Sequence, residues 1–237
     1  MGKVTAIVLS AGKGSRMHSG IHKQYMTLLG EPLICHTLRA FEESPVNDIV
    51  LVCAEGEEDF CRKEIVEAKG FDKVSRIVCG GKERYDSVYA GLQACTDTEI
   101  VLIHDGARPC ITADTITAAA AGAAEYGACV IAVPVKDTIK EADAENYGVY
   151  TPDRRKLWQV QTPQAFSYPL IREAYDSLFE EPEKKSGITD DAMVLEIMKG
   201  QKCRLIPGSY RNIKVTTPED LDIAELFLKK LKKTIDR

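Results

Sequence analysis

The chain has 237 residues, 44% of them hydrophobic, and its 31 Lys and Arg against 36 Asp and Glu give a formal net charge of −5. This composition supports a sizeable buried core and argues against a broad nucleic-acid-binding surface. The sequence has no signal segment and no apolar run near the roughly twenty residues that span a membrane. It therefore predicts a cytoplasmic protein with no nucleic-acid or membrane partner.

Short β-branched segments alternate with amphipathic segments along the chain. Predicted strands cover residues 5–10, 48–53, 74–79, 100–104 and 129–133, and predicted helices cover residues 33–43, 57–69, 85–94 and 113–126. Such alternation predicts an α/β fold with a mostly parallel sheet covered by helices on both faces.

The pattern changes at residues 136–155, which are polar and charged and contain Asn146-Tyr147-Gly148. This segment indicates an excursion from the sheet, either a β-hairpin arm or a solvated loop, and connections this long usually carry function or a partner contact. The main fold resumes at residues 157–161. A last helix is indicated by Thr217 at the N-cap and Pro218 at the first position.

Eight cysteines are spread along the chain with no Cys-x-x-Cys pair: Cys35, Cys53, Cys61, Cys79, Cys95, Cys110, Cys129 and Cys203. Structural zinc sites need clustered thiolates, and small disulfide-rich domains need a higher cysteine density. We expect most of these side chains to be buried thiols in a reducing compartment.

The loop after the first predicted strand reads Ser-Ala-Gly-Lys-Gly-Ser-Arg-Met over residues 10–17. Small residues let backbone N–H groups approach phosphate oxygens, and Arg16 and Lys23 add positive charge. A dinucleotide fingerprint would need a third glycine at Met17 and an acidic residue ending the second strand, and a P-loop would need a longer spacing before Gly-Lys-Ser/Thr. Both patterns are missing. A plain turn is the remaining alternative, and the two basic residues favour polyphosphate binding over it.

Two further strand ends carry candidate residues. Gly80 and Gly81 permit close contact with a flat base, although Asp86 or Ser87 can equally cap the next helix. Asp105 follows another strand, at the sheet edge where open α/β folds bind ligands. A carboxylate there can bind a ribose hydroxyl or a divalent cation shared with phosphates. A structural ion pair between Asp105 and Arg108 is the alternative.

Later candidates are weaker on their own. Arg154 and Lys214 can be ordinary surface cations, and Thr189-Asp190-Asp191 is typical of a helix start with acids in its first turn.

Taken in order, eight motifs resemble the 2-C-methyl-D-erythritol 4-phosphate cytidylyltransferases of the non-mevalonate isoprenoid pathway: LSAGKGSRM, KQY, GGKERYDSV, HDGARP, DTIK, LWQVQTPQAF, TDDA and NIKVTTPEDL. The resemblance covers residues 6–221. It implies one Rossmann-like nucleotidyltransferase domain over residues 1–237, with residues 137–156 as a protruding dimerisation arm of a homodimer. It also implies Mg²⁺-dependent transfer of CMP from CTP to 2-C-methyl-D-erythritol 4-phosphate, with release of pyrophosphate.

The same resemblance implies roles for individual residues. It assigns catalytic roles to Arg16, Lys23, Arg154 and Lys214. It assigns contacts with CTP to Ala11, Gly12, Gly81, Ser87 and Asp105. It assigns contacts with the acceptor to Arg108, Thr138, Thr162 and Thr189. Asp105 is also the candidate magnesium ligand, directly or indirectly, and Arg154 would serve the site of the neighbouring subunit.

Three other functions stay open at this point. Ribitol 5-phosphate cytidylyltransferases share much the same motifs, although Gly106-Ala107 before Arg108 looks more like the erythritol group. A sugar-1-phosphate nucleotidyltransferase and a non-catalytic nucleotide-binding protein are the other two. A dehydrogenase is disfavoured by the failed dinucleotide fingerprint.

Overall fold

The protein is described from a computed structural model, which covers residues 2–12 and 22–235. Its strands are β1 Val4–Leu9, β2 Thr27–Leu28, β3 Glu31–Pro32, β4 Asp48–Cys53, β5 Val74–Cys79, β6 Ile100–Asp105, β7 Ala128–Pro134, β8 Glu141–Ala142, β9 Gly148–Tyr150, β10 Trp158–Ser167 and β11 Arg204–Pro207. Seven of them form the central sheet in the order β11-β7-β10-β6-β1-β4-β5, and two small hairpins pair β2 with β3 and β8 with β9.

The central sheet is mostly parallel. β1 pairs in parallel with both β4 and β6, and β10 is the antiparallel strand, lying between β6 and β7. Strands inside a parallel sheet are buried on both faces, which explains the continuous apolar sequences of β1, β4 and β6. The predicted sheet is therefore confirmed.

Helices cover both faces of this sheet: α1 Leu33–Glu42, α2 Glu58–Phe60, α3 Arg84–Ala94, α4 Ala113–Tyr126, α5 Tyr168–Glu180, α6 Asp191–Lys199 and α7 Pro218–Ile235. One core packs α1 and α4 against residues such as Ala6 and Val8 of β1. A second core packs α3, α5 and α6 against Ile7 on the opposite face of the same strand. A third cluster holds α7 against Leu28 and Leu33.

Several boundaries differ from the prediction. The helix expected over residues 57–69 is a short α2 that continues as a π-helical segment, Cys61–Glu67. The strand expected over residues 157–161 extends to Ser167, and it contains a cis peptide bond at Thr162-Pro163. The predicted hairpin is present as β8 and β9, and α7 begins at Pro218 as expected.

Within the part of the chain that the structure covers, no helix has both the length and the apolar character needed to cross a membrane. All eight cysteines are free thiols, and six of them are buried. The expectation of buried thiols is confirmed for these six.

Candidate active site

Three loops meet at the carboxyl edge of the sheet and enclose a cavity of about 310 Å³. They follow β1, β5 and β6, which are the strands that precede Ser10, Gly80 and Gly106. The cavity brings together seven residues predicted from the sequence: Ala11, Gly12, Lys23, Gly81, Ser87, Asp105 and Lys214. A site at this edge is the one expected for an open α/β sheet.

The loops after β1 and β5 pack directly on each other. A Cβ atom at Gly80 would meet the Cβ of Ala11 at 2.5 Å and Oγ of Ser87 at 2.6 Å, so a larger residue there would push the loops apart. The Gly81 N–H donates to Oγ of Ser87 at 3.2 Å. Glu83 and Asp86 form a capping box at the start of helix α3. Because these two residues cap the helix, the Ser87 hydroxyl is available to stabilise this loop.

Two neighbouring residues connect the cavity to other segments. The Gln24 side-chain amide donates to the backbone carbonyl of Ser10, which fixes the end of β1. The Lys23 ammonium donates to the carbonyl of Val215 at 3.1 Å. Arg16, predicted to lie beside them, falls outside the described residues.

A second cavity of about 240 Å³ adjoins the first and shares Arg84, Asp105 and Lys214 with it. Its walls include three residues predicted to contact the acceptor, Arg108, Thr162 and Thr189. The two groups of predicted residues, for nucleotide and for acceptor, therefore lie on either side of one carboxylate.

Asp105 is that carboxylate, and three cations surround it. Its oxygens lie 2.9 Å from Nζ of Lys214, 3.4 Å from Nε of Arg84 and 3.6 Å from Nε of Arg108. Burial by itself would raise the pKa of Asp105, but these positive charges hold the pKa well below its usual range. The expected Asp105–Arg108 pair exists as one part of this larger group.

Arg84 was not among the predicted site residues, although it lines both cavities. Its guanidinium forms two hydrogen bonds of 2.8 Å with the carboxylate of Asp191. The Tyr175 hydroxyl donates to the same carboxylate at 2.6 Å. Burial opposes the charge, but Asp191 and then Asp105 raise the pKa of Arg84 well above its ordinary value. Its signal in the sequence is its place three residues after the glycine pair that follows β5.

Thr162 holds the backbone at Asp105. Its Oγ1 accepts the Asp105 N–H at 3.1 Å and lies 3.0 Å from Nδ1 of His104. Burial lowers the pKa of His104 to about 3, so this ring is neutral near pH 7. The Thr162 hydroxyl can then donate to Nδ1 while Nε2 faces the carbonyl of Arg108 at 3.5 Å, which leaves His104 unsuited to act as a base.

The model of the 2-C-methyl-D-erythritol 4-phosphate cytidylyltransferase family (IspD) matches residues 4–230 of the chain. The chain belongs to this cytidylyltransferase family. It is 53% identical over 226 residues to the 2-C-methyl-D-erythritol 4-phosphate cytidylyltransferase of Lachnospira eligens, covering 95% of this chain and 99% of the relative. The enzyme of the same name from Alkaliphilus oremlandii is 52% identical, with 96% and 95% covered.

Solved structures agree with this family assignment. The 4-diphosphocytidyl-2C-methyl-D-erythritol synthase of Anaerococcus prevotii superposes with a TM-score of 0.82 at 29% identity, covering 96% of each chain. The 2-C-methyl-D-erythritol 4-phosphate cytidylyltransferase of Francisella tularensis gives 0.79 at 28% identity, covering 95% of this chain and 99% of that chain. The predicted family, the nucleotidyltransferase fold and the enzyme class are thus confirmed.

Two predicted residues lie away from both cavities in this cytidylyltransferase fold. Thr138 and Arg154 belong to the segment between β7 and β10, and both are exposed. The Arg154 guanidinium donates to the carbonyl of Lys136 at 2.6 Å. Within a single chain, the structure therefore does not bring these two residues to the site.

Asp105 is also the predicted ligand of the magnesium ion. In residues 2–12 and 22–235, no group of three or more His, Cys, Asp and Glu side chains is arranged to hold an ion. Mg²⁺ is commonly bound through one or two carboxylates plus substrate phosphates, with water completing its shell. A carboxylate bordering both cavities fits that mode of binding, and a cage made of protein groups alone does not exist in these ranges.

Proposed function

We propose that the first cavity binds CTP and the second binds 2-C-methyl-D-erythritol 4-phosphate, whose phosphate attacks the α-phosphorus of CTP and releases pyrophosphate. The observation that carries this proposal is the junction of the two cavities at Asp105, with Arg84 and Lys214 in both walls. Relatives about half identical to this chain are named for this activity.

On the nucleotide side, the backbone of Ala11 and Gly12 lies open to the triphosphate. Among the described residues, no atom lies within 4 Å of a Cβ placed at Gly12, so this position leaves space at the cavity wall on that side. Lys23 and Lys82 line the same cavity and supply positive charge. Arg16 is proposed to add a further cation from the adjoining loop. The base and ribose then lie against Gly81, Ser87 and Asp105.

On the acceptor side, Arg108 supplies positive charge to the wall of the second cavity. Its Nη1 donates to the carbonyl of Asn212 at 2.8 Å, and its buried Nε lies 3.6 Å from the Asp105 carboxylate. These contacts hold the guanidinium in place beside the proposed acceptor phosphate. Thr162, Thr189 and Lys214 complete this half of the site, with Thr138 and Arg154 reaching it from a second chain.

The reaction needs orientation and charge compensation more than proton transfer. A phosphate monoester has a second pKa near 6, so at neutral pH the nucleophile is already largely a dianion. Two anionic substrates repel each other, and fixed cations such as Lys23 and Lys214 offset that repulsion. The same cations stabilise the charge that develops on the leaving pyrophosphate.

Mg²⁺ is the proposed cofactor, held by the triphosphate and by Asp105 directly or through water. When bound, it supplies charge neutralisation and alignment of the phosphates. Asp105 suits this role because its depressed pKa keeps it ionised.

We further propose that residues 1–237 form one domain, and that residues 137–156 are an arm that joins two chains into a homodimer. The arm is exposed along its length, and it presents Tyr147, Val149 and Tyr150 at 72%, 63% and 56% exposure. Such apolar exposure is unusual in a monomer. A cytoplasmic location is also proposed, since eight free thiols suit a reducing compartment.

Pyrophosphate release tests the proposal directly. The protein is assayed with CTP and Mg²⁺, with either 2-C-methyl-D-erythritol 4-phosphate or ribitol 5-phosphate as acceptor. We expect release with the first acceptor, abolished by chelation of the metal. Preference for ribitol 5-phosphate would reassign the acceptor, and CTP binding without turnover on either acceptor would contradict the enzymatic proposal.

A further inference from the structure

Among the described residues, three side chains line both cavities: Arg84, Asp105 and Lys214. In the proposed reaction, an oxygen of the acceptor phosphate bonds to the α-phosphorus of CTP. The bond from that phosphorus to the bridging oxygen breaks, and pyrophosphate leaves with the electron pair. The α-phosphate must therefore lie where the two cavities meet. Of the two cations shared there, the family resemblance gives Lys214 a catalytic role and gives Arg84 none.

Buried groups hold the guanidinium of Arg84 from behind. The Asp191 carboxylate is fully buried and accepts Nη1 and Nη2 of Arg84, both at 2.8 Å. It also accepts the hydroxyl of Tyr175, another fully buried side chain, at 2.6 Å. The side-chain oxygen of Gln164 accepts the N–H groups of Asp191 and Ala192 at 3.0 Å each, which fixes the start of α6. The plane of the guanidinium is thus set by the sheet and by α5 and α6.

The side of Arg84 that faces the cavities keeps donors available. A guanidinium has five N–H groups. Within residues 2–12 and 22–235, two of them are used by Asp191, and the Nε–H faces Asp105 across a longer distance of 3.4 Å. One N–H on each terminal nitrogen remains, and 26% of the side chain is exposed. A ligand at the junction of the cavities therefore has donors within reach.

The charges around the junction favour an anion. Three cations, Arg84, Arg108 and Lys214, contact the carboxylates of Asp105 and Asp191, which leaves one positive charge in excess. A phosphate oxygen that enters this group offsets that charge. The planar guanidinium also suits the oxygens of a phosphate group better than a single ammonium does.

We propose that Arg84 is a further catalytic residue, whose guanidinium donates to a non-bridging oxygen of the α-phosphate of CTP. Asp191 and Tyr175 are then positioning residues, which act through Arg84 and do not touch the substrate. This role rests on the function proposed above. A donor that is already fixed before the reaction needs no reorganisation as charge moves onto the phosphate oxygens, which is why it lowers the barrier.

The contact is tested with CTP in which sulfur replaces one non-bridging oxygen of the α-phosphate, each diastereomer being measured separately. Sulfur accepts hydrogen bonds poorly, so one diastereomer should react more slowly than CTP in a single turnover of the parent protein. Arg84→Lys keeps a positive charge beside Asp191 and loses the planar fork, and its rate constant with CTP should fall about a hundredfold. The ratio of the two rate constants, CTP over thio-CTP, should also shrink roughly tenfold, because the hydrogen bond that sulfur weakens is already missing.

Arg172→Lys is the matched control, since Arg172 pairs with Asp176 away from both cavities. It should keep the parent rate constant and the parent ratio. Circular dichroism at the assay temperature establishes that both variants are folded. An unchanged ratio for both diastereomers in Arg84→Lys, or the parent rate constant with CTP, would overturn the inference. A parent protein that does not turn over CTP would refute the proposed function, so the two failures are distinguishable.

The positioning role is tested with Tyr175→Phe, which removes the hydroxyl bonded to Asp191 and leaves the cavity walls unchanged. We expect the single-turnover rate constant to fall roughly threefold to tenfold, about the effect of one hydrogen bond, while the Kd for CTP changes less than about twofold. Tyr89→Phe is the control, because it removes a hydroxyl that donates to Asp176 at 2.8 Å, and it should keep the parent rate constant. Equal rate constants in the two variants would show that Tyr175 does not position Arg84.

Discussion

The guanidinium of Arg84 and the carboxylate of Asp191 form a bidentate ion pair across 107 residues of sequence, with both N–O distances at 2.8 Å. The Asp191 side chain is fully buried at the start of α6, and Arg84 begins α3. The pair therefore joins two helices on one face of the sheet directly beneath the shared wall of the two cavities. It also presents Arg84 to Asp105.

Replacing Arg84 by Gln should destabilise the protein by about 3–5 kcal/mol, because it leaves the buried carboxylate of Asp191 unpaired. The matched control is Arg172→Gln, which removes a half-exposed i,i+4 pair with Asp176 and should cost at most about 1 kcal/mol. Urea unfolding followed by circular dichroism gives both values. Equal losses for the two variants would contradict a structural role of the Arg84 pair.

The sequence predicted the ends of the strands well, because each end is marked by residues next to it in the chain. The glycines at 80 and 81 and the acid at 105 follow apolar strands, and parallel topology then brings those ends to one edge. Asp191 could not be recognised in this way, since it resembles an ordinary acid in the first turn of a helix, and its pairing with Arg84 joins residues far apart in the sequence. Asp190 does cap α6 through the N–H of Met193; the neighbouring acid has a different role that only the tertiary fold defines.

Thr162→Val keeps the shape of the side chain and removes the oxygen that accepts the Asp105 N–H. We expect a loss of about 1–3 kcal/mol in unfolding free energy, the cost of a buried donor without a partner. We also expect a higher KM for the acceptor, since Thr162 lines the second cavity. The same substitution at Thr117, an exposed residue of α4 that bonds Ala113, should change stability by less than about 0.5 kcal/mol. A KM as unaffected in Thr162→Val as in Thr117→Val would argue against the proposed acceptor site.

Lys23→Ala should lower kcat on the order of a hundredfold or more, as removal of a fixed transition-state donor does. Arg16→Ala is expected to have a similar effect, because the resemblance assigns both residues to the triphosphate. Lys229→Ala removes a cation of the same type from an exposed pair with Glu225 and should leave kcat unchanged. Steady-state pyrophosphate release measures all three. Turnover at the parent rate in Lys23→Ala would remove this residue from the proposed mechanism.

His104 should make stability depend on pH in the acid range. Its pKa in the folded protein is about 3, against about 6.5 for an unperturbed histidine. Between these values the unfolded chain binds a proton that the folded chain does not. The contribution of the neutral His104 ring to the free energy of unfolding is therefore fully present above pH 6.5. Below that pH the free energy of unfolding falls by about 1.4 kcal/mol per pH unit. Comparing unfolding free energies of the parent and His104→Gln from pH 7 to pH 5 isolates this slope, and parallel curves would contradict it.

The arm makes the most specific prediction about assembly, because Arg154 lies outside both cavities of its own chain. If Arg154 completes the acceptor site of a partner, Lys23→Ala and Arg154→Ala are each nearly inactive alone but complement each other when unfolded together and refolded. A mixed dimer has one site with an intact Lys23 and an intact Arg154, and statistical mixing then restores up to about a quarter of the parent activity.

Mixing Lys23→Ala with Lys214→Ala is the control, since both residues line the first cavity of one chain and no mixed dimer regains a complete site. Sedimentation of each mixture establishes that dimers form. Dimers without recovered activity would mean that Arg154 does not act across the interface, and recovery in the control mixture would mean that Lys23 and Lys214 serve different sites.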